Sequence, residues 1–347
     1  MNDCYITGSF PISGTCVPQI STKIQSGDIL GTIMVRCGIN RDNYRVAPGL
    51  YAVGNPGNSS DIFVTSNYKL SFDTLRKNLS GINGWILVLD TKGINVWCAA
   101  GKGTFGTKEL VRRIRSVSLE KIISHRRLIL PQLGAVGVSA HLVKAETGFN
   151  VHYGPVRASD IRKFIDSGYR ADKEMRKVKF GLWERMKLIP VELVYGKYYL
   201  LGALVIISLL SCIGLREISI SDVWKTINPA IINLLLAYIS GIVITPVLLP
   251  YIPARRFSIK GLISGAIVSI ILLLFKAAGE NLFEMISWLF LISSVSSFLA
   301  MNFTGSSTFT SLSGVKKEMK IAIPLQIILS ASGIILLVID KLSNFWL

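Results

Sequence analysis

The chain has 347 residues, half of them hydrophobic, with a mean hydropathy of +0.48 and a formal net charge of +17. That is too apolar for an ordinary soluble protein, while the more polar front part is long enough to bury a full core. Five scattered cysteines (Cys4, Cys16, Cys37, Cys98 and Cys212), none in a C-x-x-C pair, exclude a disulfide scaffold and a cysteine-cluster metal site and suit a reducing compartment.

Residues 1–196 read as globular, and the apolar excess begins at Lys197. Ten of the 38 lysines and arginines and six of the 21 acids lie beyond residue 197, which leaves +13 on the front part and +4 on the rest. Much of the basic excess falls in Arg157–Lys187, just before the first apolar run. There it suits attraction to anionic lipid headgroups and control of membrane topology. The stretch carries no basic motif with interleaved aromatics, so nucleic acid is not an expected partner. The first thirty residues show no apolar signal-peptide core.

In chain order, strands are expected at Ile29–Val35, Trp85–Leu89, Asn95–Trp97, Leu128–Leu130 and Phe149–His152. Helices are expected at Phe72–Leu79, Lys108–Val117, Ala140–Glu146 and Ala158–Ile165. Thr107 is the expected N-cap of the second of these, whose Leu110, Val111, Ile114 and Val117 recur at helical spacing. Such alternation predicts an α/β domain with a largely parallel sheet, which binds ligands at the carboxyl ends of its strands.

Five later segments reach the roughly 20 apolar residues that cross a hydrocarbon core: Tyr198–Leu215, Ala230–Tyr251, Gly261–Ala278, Leu282–Met301 and Ile321–Ile339. Pro246 and Pro250 predict a kink or early exit from the second. The second loop carries Arg255, Arg256 and Lys260 and the fourth Lys316, Lys317 and Lys320, whereas the third offers Glu280 and Glu284. Positive loops face the cytoplasm. The front part is therefore expected in the cytoplasm, and the tail Lys341–Leu347 outside. Gly261-x-x-x-Gly265 and the serines of Ser293–Ser297 read as helix-packing seams. No Asp, Glu or Arg lies deep in a span, which argues against an ion or proton pathway.

The most informative run is Asn95-Val96-Trp97-Cys98-Ala99-Ala100-Gly101-Lys102. A thiol where a strand meets a helix N-terminus faces the positive end of the helix dipole, a position that favours thiolate. Nucleophile and metal ligand both remain open, as does a buried structural thiol. A nucleophile needs a base, and only His125, His141 and His152 exist. Gly101-x-Gly103-x-x-Gly106 matches the dinucleotide fingerprint literally, but Glu120 does not end a second strand, so a tight turn or close backbone approach is the preferred reading. A membrane sensor with a nucleotide-binding α/β domain stands as the alternative. None of the histidines sits in a D-x-H-x-x-G motif, so a corrinoid held here would take its lower ligand from another residue type.

Asn95–Lys102, continuing through Gly103-Thr104-Phe105-Gly106-Thr107, resembles the cap-helix motif of the mercury-methylating corrinoid protein family (HgcA type). Flanking blocks resemble the corrinoid domain shared with the large subunit of the corrinoid iron-sulfur protein: Pro48–Pro56, Val64–Asp73, Leu130–Ala135 and Tyr153–Ala158. The likeness covers about residues 40–165, and a five-span C-terminal domain fits the mercury-methylating branch. The four-cysteine cluster of the acetyl-CoA branch is absent.

The resemblance implies an α/β Rossmann-like corrinoid-binding domain over residues 1–170, a basic juxtamembrane linker over 171–196 and an all-α transmembrane domain of five helices over 197–347, set in the cytoplasmic membrane. It implies a base-off cobalamin or related corrinoid with Cys98 as the lower axial ligand of cobalt and as the catalytic residue. Asn95, Val96, Trp97, Cys98, Ala99, Ala100, Gly101 and Lys102 form the cap helix under the cobalt. Thr65, Ser71, Leu133, Gly134, Ala135, Arg157 and Ala158 lie near the corrin. Trp97 is expected to pack beside the ligand, with Asn95 and Lys102 hydrogen-bonding around it. The implied activity is a methyltransferase that passes a methyl carbanion equivalent from methyl-Co(III) to Hg(II). The alternative in the same chemistry is a corrinoid methyl carrier in one-carbon metabolism. A ferredoxin-like iron-sulfur partner (HgcB type), a one-carbon methyl donor and membrane lipids complete the implied partners. Cys4, Cys16, Cys37 and Cys212 are weaker candidates for relaying mercury.

Overall fold

The structure, a computed structural model, describes residues 5–12, 14–213, 219–277, 279, 281–307 and 312–346. Cys4, Glu280 and the ends of two expected spans at Leu215 and Ala278 lie outside them. The chain divides into two compact units, Met1–Val178 and Lys179–Leu347.

The first unit is built on one seven-stranded sheet in the order β1-β2-β3-β5-β4-β6-β7. Its strands are β1 (Ile6–Ile12), β2 (Thr15–Ile20), β3 (Gly49–Val53), β4 (Asp61–Ser66), β5 (Gly84–Leu89), β6 (Arg127–Leu130) and β7 (Asn150–Tyr153). Strands β5, β4, β6 and β7 are mutually parallel, but β3 runs antiparallel to β5, and β1 and β2 form an antiparallel hairpin. The sheet is therefore mixed: β2 pairs parallel with β3, and the β5-β4-β6-β7 half has the continuous parallel character expected from sequence.

Helices α1 (Ser26–Arg36), α2 (Lys69–Asn78), α3 (Val96–Lys102), α4 (Thr107–Ser116), α5 (Leu119–Ile122), α6 (Ala140–Thr147) and α7 (Ile161–Asp166) complete the unit. Alternate residues of each central strand feed opposite cores, as the period of two requires. Ile62, Val64, Trp85, Leu87, Leu128 and Leu130 pack with α3 to α6. Phe63, Ile86, Val88 and Ile129 pack on the other face with Phe72 and Leu75 of α2 and Phe164 of α7.

Four expectations need correction. Ile29–Val35 is not a strand but lies in α1; its β-branched residues mislead, and Ile29, Leu30 and Ile33 are exposed. Asn95–Trp97 is not a strand either: Asn95 caps α3, and Val96 and Trp97 are its first residues. Thr107 is the first residue of α4 rather than its cap, which is Gly106; the Thr107 hydroxyl accepts the Ser139 amide instead. The helix expected at Ala158–Ile165 begins as a 3-10 turn over Ala158–Asp160 and becomes α7 only at Ile161. The strands β1 to β4 were not foreseen.

What holds α1 to α2 is a buried four-charge network. Asp28 of α1 and Asp73 of α2 share Lys69 and Arg76: Lys69 Nζ lies 2.6 Å from Asp28 and 2.7 Å from Asp73, and Arg76 lies 2.6 Å and 2.7 Å from the same pair. Arg76 also donates to the carbonyls of Ser21 and Lys23, and the Lys69 ammonium sits over the rings of Tyr5 and Tyr44. Charges balance and nearly every donor is used, the condition under which buried ions are tolerable. Burial opposes ionisation of Asp28, yet hydrogen bonds from Lys69, the Gln25 amide and Arg76 hold its carboxyl below the usual value.

In the second unit, α8 (Leu182–Met186) and the start of α9 (Ile189–Ser211) fall within the expected linker 171–196, which is thus folded over its second half. Then come α10 (Ile220–Ile239), continued by a π-turn (Ser240–Ile244) and α11 (Thr245–Val247), α12 (Phe257–Leu274), α13 (Leu282–Phe303) and α14 (Leu312–Trp346). Among the described residues, five helical stretches are long and apolar enough to cross a membrane: Leu182–Ser211, Ile220–Val247, Phe257–Leu274, Leu282–Phe303 and Ser313–Ser343. The second ends before Pro250, the early exit its prolines predict. Gly261 and Gly265 let α12 meet the serine face of α13. A Cβ on Gly261 would come within 2.5 Å of Ala300 Cβ, and one on Gly265 within 2.7 Å of Ser293 Cα. Ser296 and Ser297 hydrogen-bond the Gly261 and Ser258 carbonyls across that contact.

Replacing Arg76 with Met leaves two buried carboxylates with one cation, so a loss of about 3–5 kcal/mol is expected in urea unfolding of the full-length protein, followed by amide exchange in β3 to β5. The Asp28 contribution is present above the unfolded-state pKa and is lost as pH falls through its depressed folded-state value. In an Asp28→Asn variant the unfolding free energy, measured by urea titration at several pH values, should be lower near neutrality and should depend less on pH below about 4.

Candidate functional site

In an open α/β sheet, the crevice forms where successive crossovers leave the sheet on opposite faces. Here β4 connects through α2 on one face to β5, and β5 connects through α3 to α5 on the other face to β6. The chain thus parts at the carboxyl end of β4. A crevice of about 360 Å³ lies there. Its floor is Val64 and Thr65 at the end of β4. Leu70, Ser71, Thr74 and Leu75 of α2 form one wall, and Asn95, Val96 and Trp97 at the start of α3 form another. Pro131, Leu133, Pro155, Val156 and Ala158 come from the loops after β6 and β7. The surface is mostly apolar, with a few hydroxyls and one carboxamide, the usual composition of a small-molecule site.

Seven of the residues predicted from sequence line this crevice: Thr65, Ser71, Asn95, Val96, Trp97, Leu133 and Ala158. Cys98, Gly101, Lys102 and Arg157 are exposed and do not line it, Ala99 and Ala100 are buried in the core beneath, Gly134 is buried, and Ala135 is half-buried. Trp97 is 37 % exposed, so it contributes to the crevice wall rather than to the core. Lining residues that sequence reading missed include Thr74, one turn after Ser71 on the same helical face, and Pro155 and Val156 beside Ala158. Thr74 adjoins the block ending at Asp73, with helical spacing from Ser71 as the available signal, while Pro155 and Val156 lie inside the block Tyr153–Ala158 without having been singled out.

Cys98 is the third residue of α3, exposed and free of disulfide. Its amide donates to Asn95 Oδ1 at 2.9 Å, so the carboxamide expected to reach a ligand serves instead as the helix N-cap. Helix α3 ends in Gly103 with φ +81°. Gly106 must stay small because a Cβ there would lie 2.7 Å from the Gly103 carbonyl oxygen. These glycines end α3 and open α4. They are not the strand-to-helix turn that cradles a pyrophosphate, which removes the geometric basis of the nucleotide reading.

The histidines stand elsewhere. His125 pairs with the Ser60 carbonyl, His141 with the Ser139 hydroxyl, and His152 lies on β7; none lines the crevice. A cysteine–histidine nucleophile pair therefore has no support here. No cluster of three or more His, Cys, Asp or Glu side chains suited to a metal occurs among the described residues. Cys16 is exposed, Cys37 and Cys212 are half-buried, and all three are free thiols.

Residues 20–165 match a family model described as the CO dehydrogenase/acetyl-CoA synthase delta subunit. The chain is 32 % identical over 156 residues to the gamma subunit of the acetyl-CoA decarbonylase/synthase complex of Archaeoglobus fulgidus, covering 44 % of this chain and 33 % of that protein. It is 30 % identical over 128 residues to the gamma subunit of Methanopyrus kandleri, covering 36 % of this chain and 27 % of the relative. It is 30 % identical over 122 residues to the corrinoid/iron-sulfur protein large subunit of Moorella thermoacetica, covering 35 % and 27 %. The chain thus spans about a third or less of the length of these relatives, and the family model stops short of the apolar helices.

Asn95→Ala removes the cap of α3 and should weaken its first turn by about 1 kcal/mol, whereas Asn95→Asp, which still accepts the amide, should cost less. Amide exchange at Cys98 in the full-length protein measures both.

Proposed function

We propose that the first unit binds a corrinoid in the crevice at the end of β4 and that the chain takes part in corrinoid-dependent methyl transfer. The observation that carries this reading is the place of Cys98, an exposed free thiol on the helix whose cap and first two residues line that crevice. The similarity of residues 20–165 to subunits that include a corrinoid/iron-sulfur protein supports it. A bound corrinoid supplies cobalt-centred methyl transfer.

In this reading Thr65, Ser71, Leu133 and Ala158 of the crevice would hold the ring, with Gly134, Ala135 and Arg157 on the adjoining loops, and Asn95 to Lys102 would present Cys98 as a sulfur ligand to cobalt. The chain's own contribution is positional and electronic. Asn95 fixes the first turn of α3, Ala99 and Ala100 seat it on the core, and Trp97 covers apolar surface beside the thiol. A sulfur ligand is strongly donating, and the identity of the axial ligand is one of the protein's main levers on a cobalt or iron macrocycle. No cluster motif is present in the sequence, so electrons would come from a ferredoxin-like partner. The distribution of positive loops supports a cytoplasmic first unit and an outer C-terminus.

Two acceptors fit this chemistry. The relatives' place in acetyl-CoA decarbonylase/synthase complexes favours a methyl carrier in one-carbon metabolism. Cys98 is the feature that fits Hg(II), a soft cation that takes methyl with both bonding electrons: a bound corrinoid would supply the methyl group, and a sulfur ligand from Cys98 would favour its release in that form.

Full-length protein given hydroxocobalamin should retain it through gel filtration with an absorption spectrum that differs from the free cofactor and changes in Cys98→Ala. A protein that retains no corrinoid would refute the proposal. With methylcobalamin and Hg(II), methylmercury formed by the wild type and lost in both Cys98→Ala and Cys98→His supports the mercury reading; corrinoid binding without methylmercury supports the carrier.

A further inference from the structure

We propose that Asn67 is the positioning residue for Cys98, acting by holding the turn between β5 and α3. The proposal rests on the corrinoid reading for its purpose, although the positioning itself is a property of the chain alone.

Asn67 follows the last residue of β4 and is 2 % exposed. Its side chain does not face the crevice but reaches across to the loop that leaves β5. Oδ1 accepts the Thr91 amide at 3.0 Å and the Gly93 amide at 2.9 Å. The Thr91 hydroxyl lies 2.9 Å from the same oxygen and 2.7 Å from the Ile94 carbonyl. Nδ2 donates to Asp90 Oδ1 at 3.3 Å. The main chain of Asn67 is engaged as well: its amide donates to the Leu89 carbonyl and its carbonyl accepts the Val46 amide.

The turn needs such support. Lys92 and Gly93 are consecutive left-handed residues, with φ +58° and +75°, and Lys92 is a residue type that seldom adopts this conformation. A turn of this shape points its amides inward, where they require acceptors. Asn67 Oδ1 takes those of Thr91 and Gly93, and Asp90 Oδ1, itself held by Asn67 Nδ2, takes that of Lys92. Two residues later Asn95 leaves the turn and takes the Cys98 amide on its own side chain. Hydrogen bonds therefore tie the end of β4 through Asn67 to the turn at 91–94, and the next residue in the chain, Asn95, caps the amide of Cys98. Helix α3 has only seven residues, so it cannot set its own position. The carboxamide meets both needs of the turn. A leucine of similar size removes them all and leaves buried amides unpaired, a costly state. An aspartate keeps the acceptor but turns a second carboxylate oxygen toward Asp90.

The test uses full-length protein in detergent, in wild type, Asn67→Leu, Asn67→Asp and Thr91→Val. Amide exchange over residues 90–102 should be at least tenfold faster in Asn67→Leu, unchanged over 110–116, and mostly restored in Asn67→Asp. Peptide mapping after a short maleimide pulse should show Cys98 labelled severalfold faster in Asn67→Leu, with Cys16 unaffected. Hydroxocobalamin bound to Asn67→Leu should show the spectrum of Cys98→Ala. Exchange over 90–102 within twofold of wild type in Asn67→Leu overturns the proposal, whatever the cofactor does. Should Asn67→Leu fail to fold, Thr91→Val carries the test: exchange at 90–102 equal to wild type in that variant overturns the proposal. A wild type that binds no cobalamin refutes the corrinoid reading while leaving the exchange result to decide on Asn67.

Discussion

A parallel strand cannot be joined to its neighbour by a hairpin, and the first unit follows from that constraint. Strand β4 must reach β5 by a crossover on one face, and β5 must reach β6, on the far side of β4, by a crossover on the other. The two crossovers part at the carboxyl end of β4, and the gap between them is the crevice. Every residue credible as a ligand contact is then one that a strand end or the first turn of a following helix brings to this gap. Thr65, Asn95 and Leu133 are distant in sequence and meet for no other reason.

The gap is held at constant shape by two polar devices that address different problems. The Asp28, Lys69, Asp73 and Arg76 network anchors α1 and α2, the helix that forms one wall, and it does so with ions whose charges cancel. The Asn67 carboxamide fixes the opposite wall by satisfying a turn that would otherwise bury unpaired amides. Neither device lies in the crevice. Both act on elements that line it, which leaves the crevice surface apolar and free to contact a ligand.

The legible parts of this molecule were those that repeat. Five apolar stretches, the small-residue seam at Gly261 and Gly265, and the helical spacing of Leu110, Val111 and Ile114 report burial at a fixed period and were read correctly in kind. What sequence alone concealed depends on partners far along the chain. Ile29–Val35 has the composition of a strand but folds as α1, which starts at a capping box between Gln25 and Asp28 and is tied down by Lys69 and Arg76 some forty residues on. Strands β3 and β4 are only five and six residues long and buried on both faces, so they carry no alternation to read. The crevice was found in seven of its residues because the quoted blocks flank strand ends. Thr74 and Val156, which share those elements, lacked a pattern of their own.

The run from Asn95 to Gly103 shows why a short motif can be so specific. Seven residues make fewer than two turns, too few for a helix to persist on its own. Each position must therefore contribute something from outside the helix. Asn95 supplies the cap. Val96, Ala99 and Ala100 face the core, and Gly137 must be small because its loop crosses Ala100 closely: a Cβ on Gly137 would lie 3.0 Å from Ala100 Cα. Gly103 takes the left-handed conformation that ends the helix. Only Trp97, Cys98, Gly101 and Lys102 remain outward, and of these Cys98 alone carries a soft donor atom. The structural demands account for the cap, the alanines and the terminal glycine. They do not account for the exposed thiol, the atom on which the proposed corrinoid reading rests.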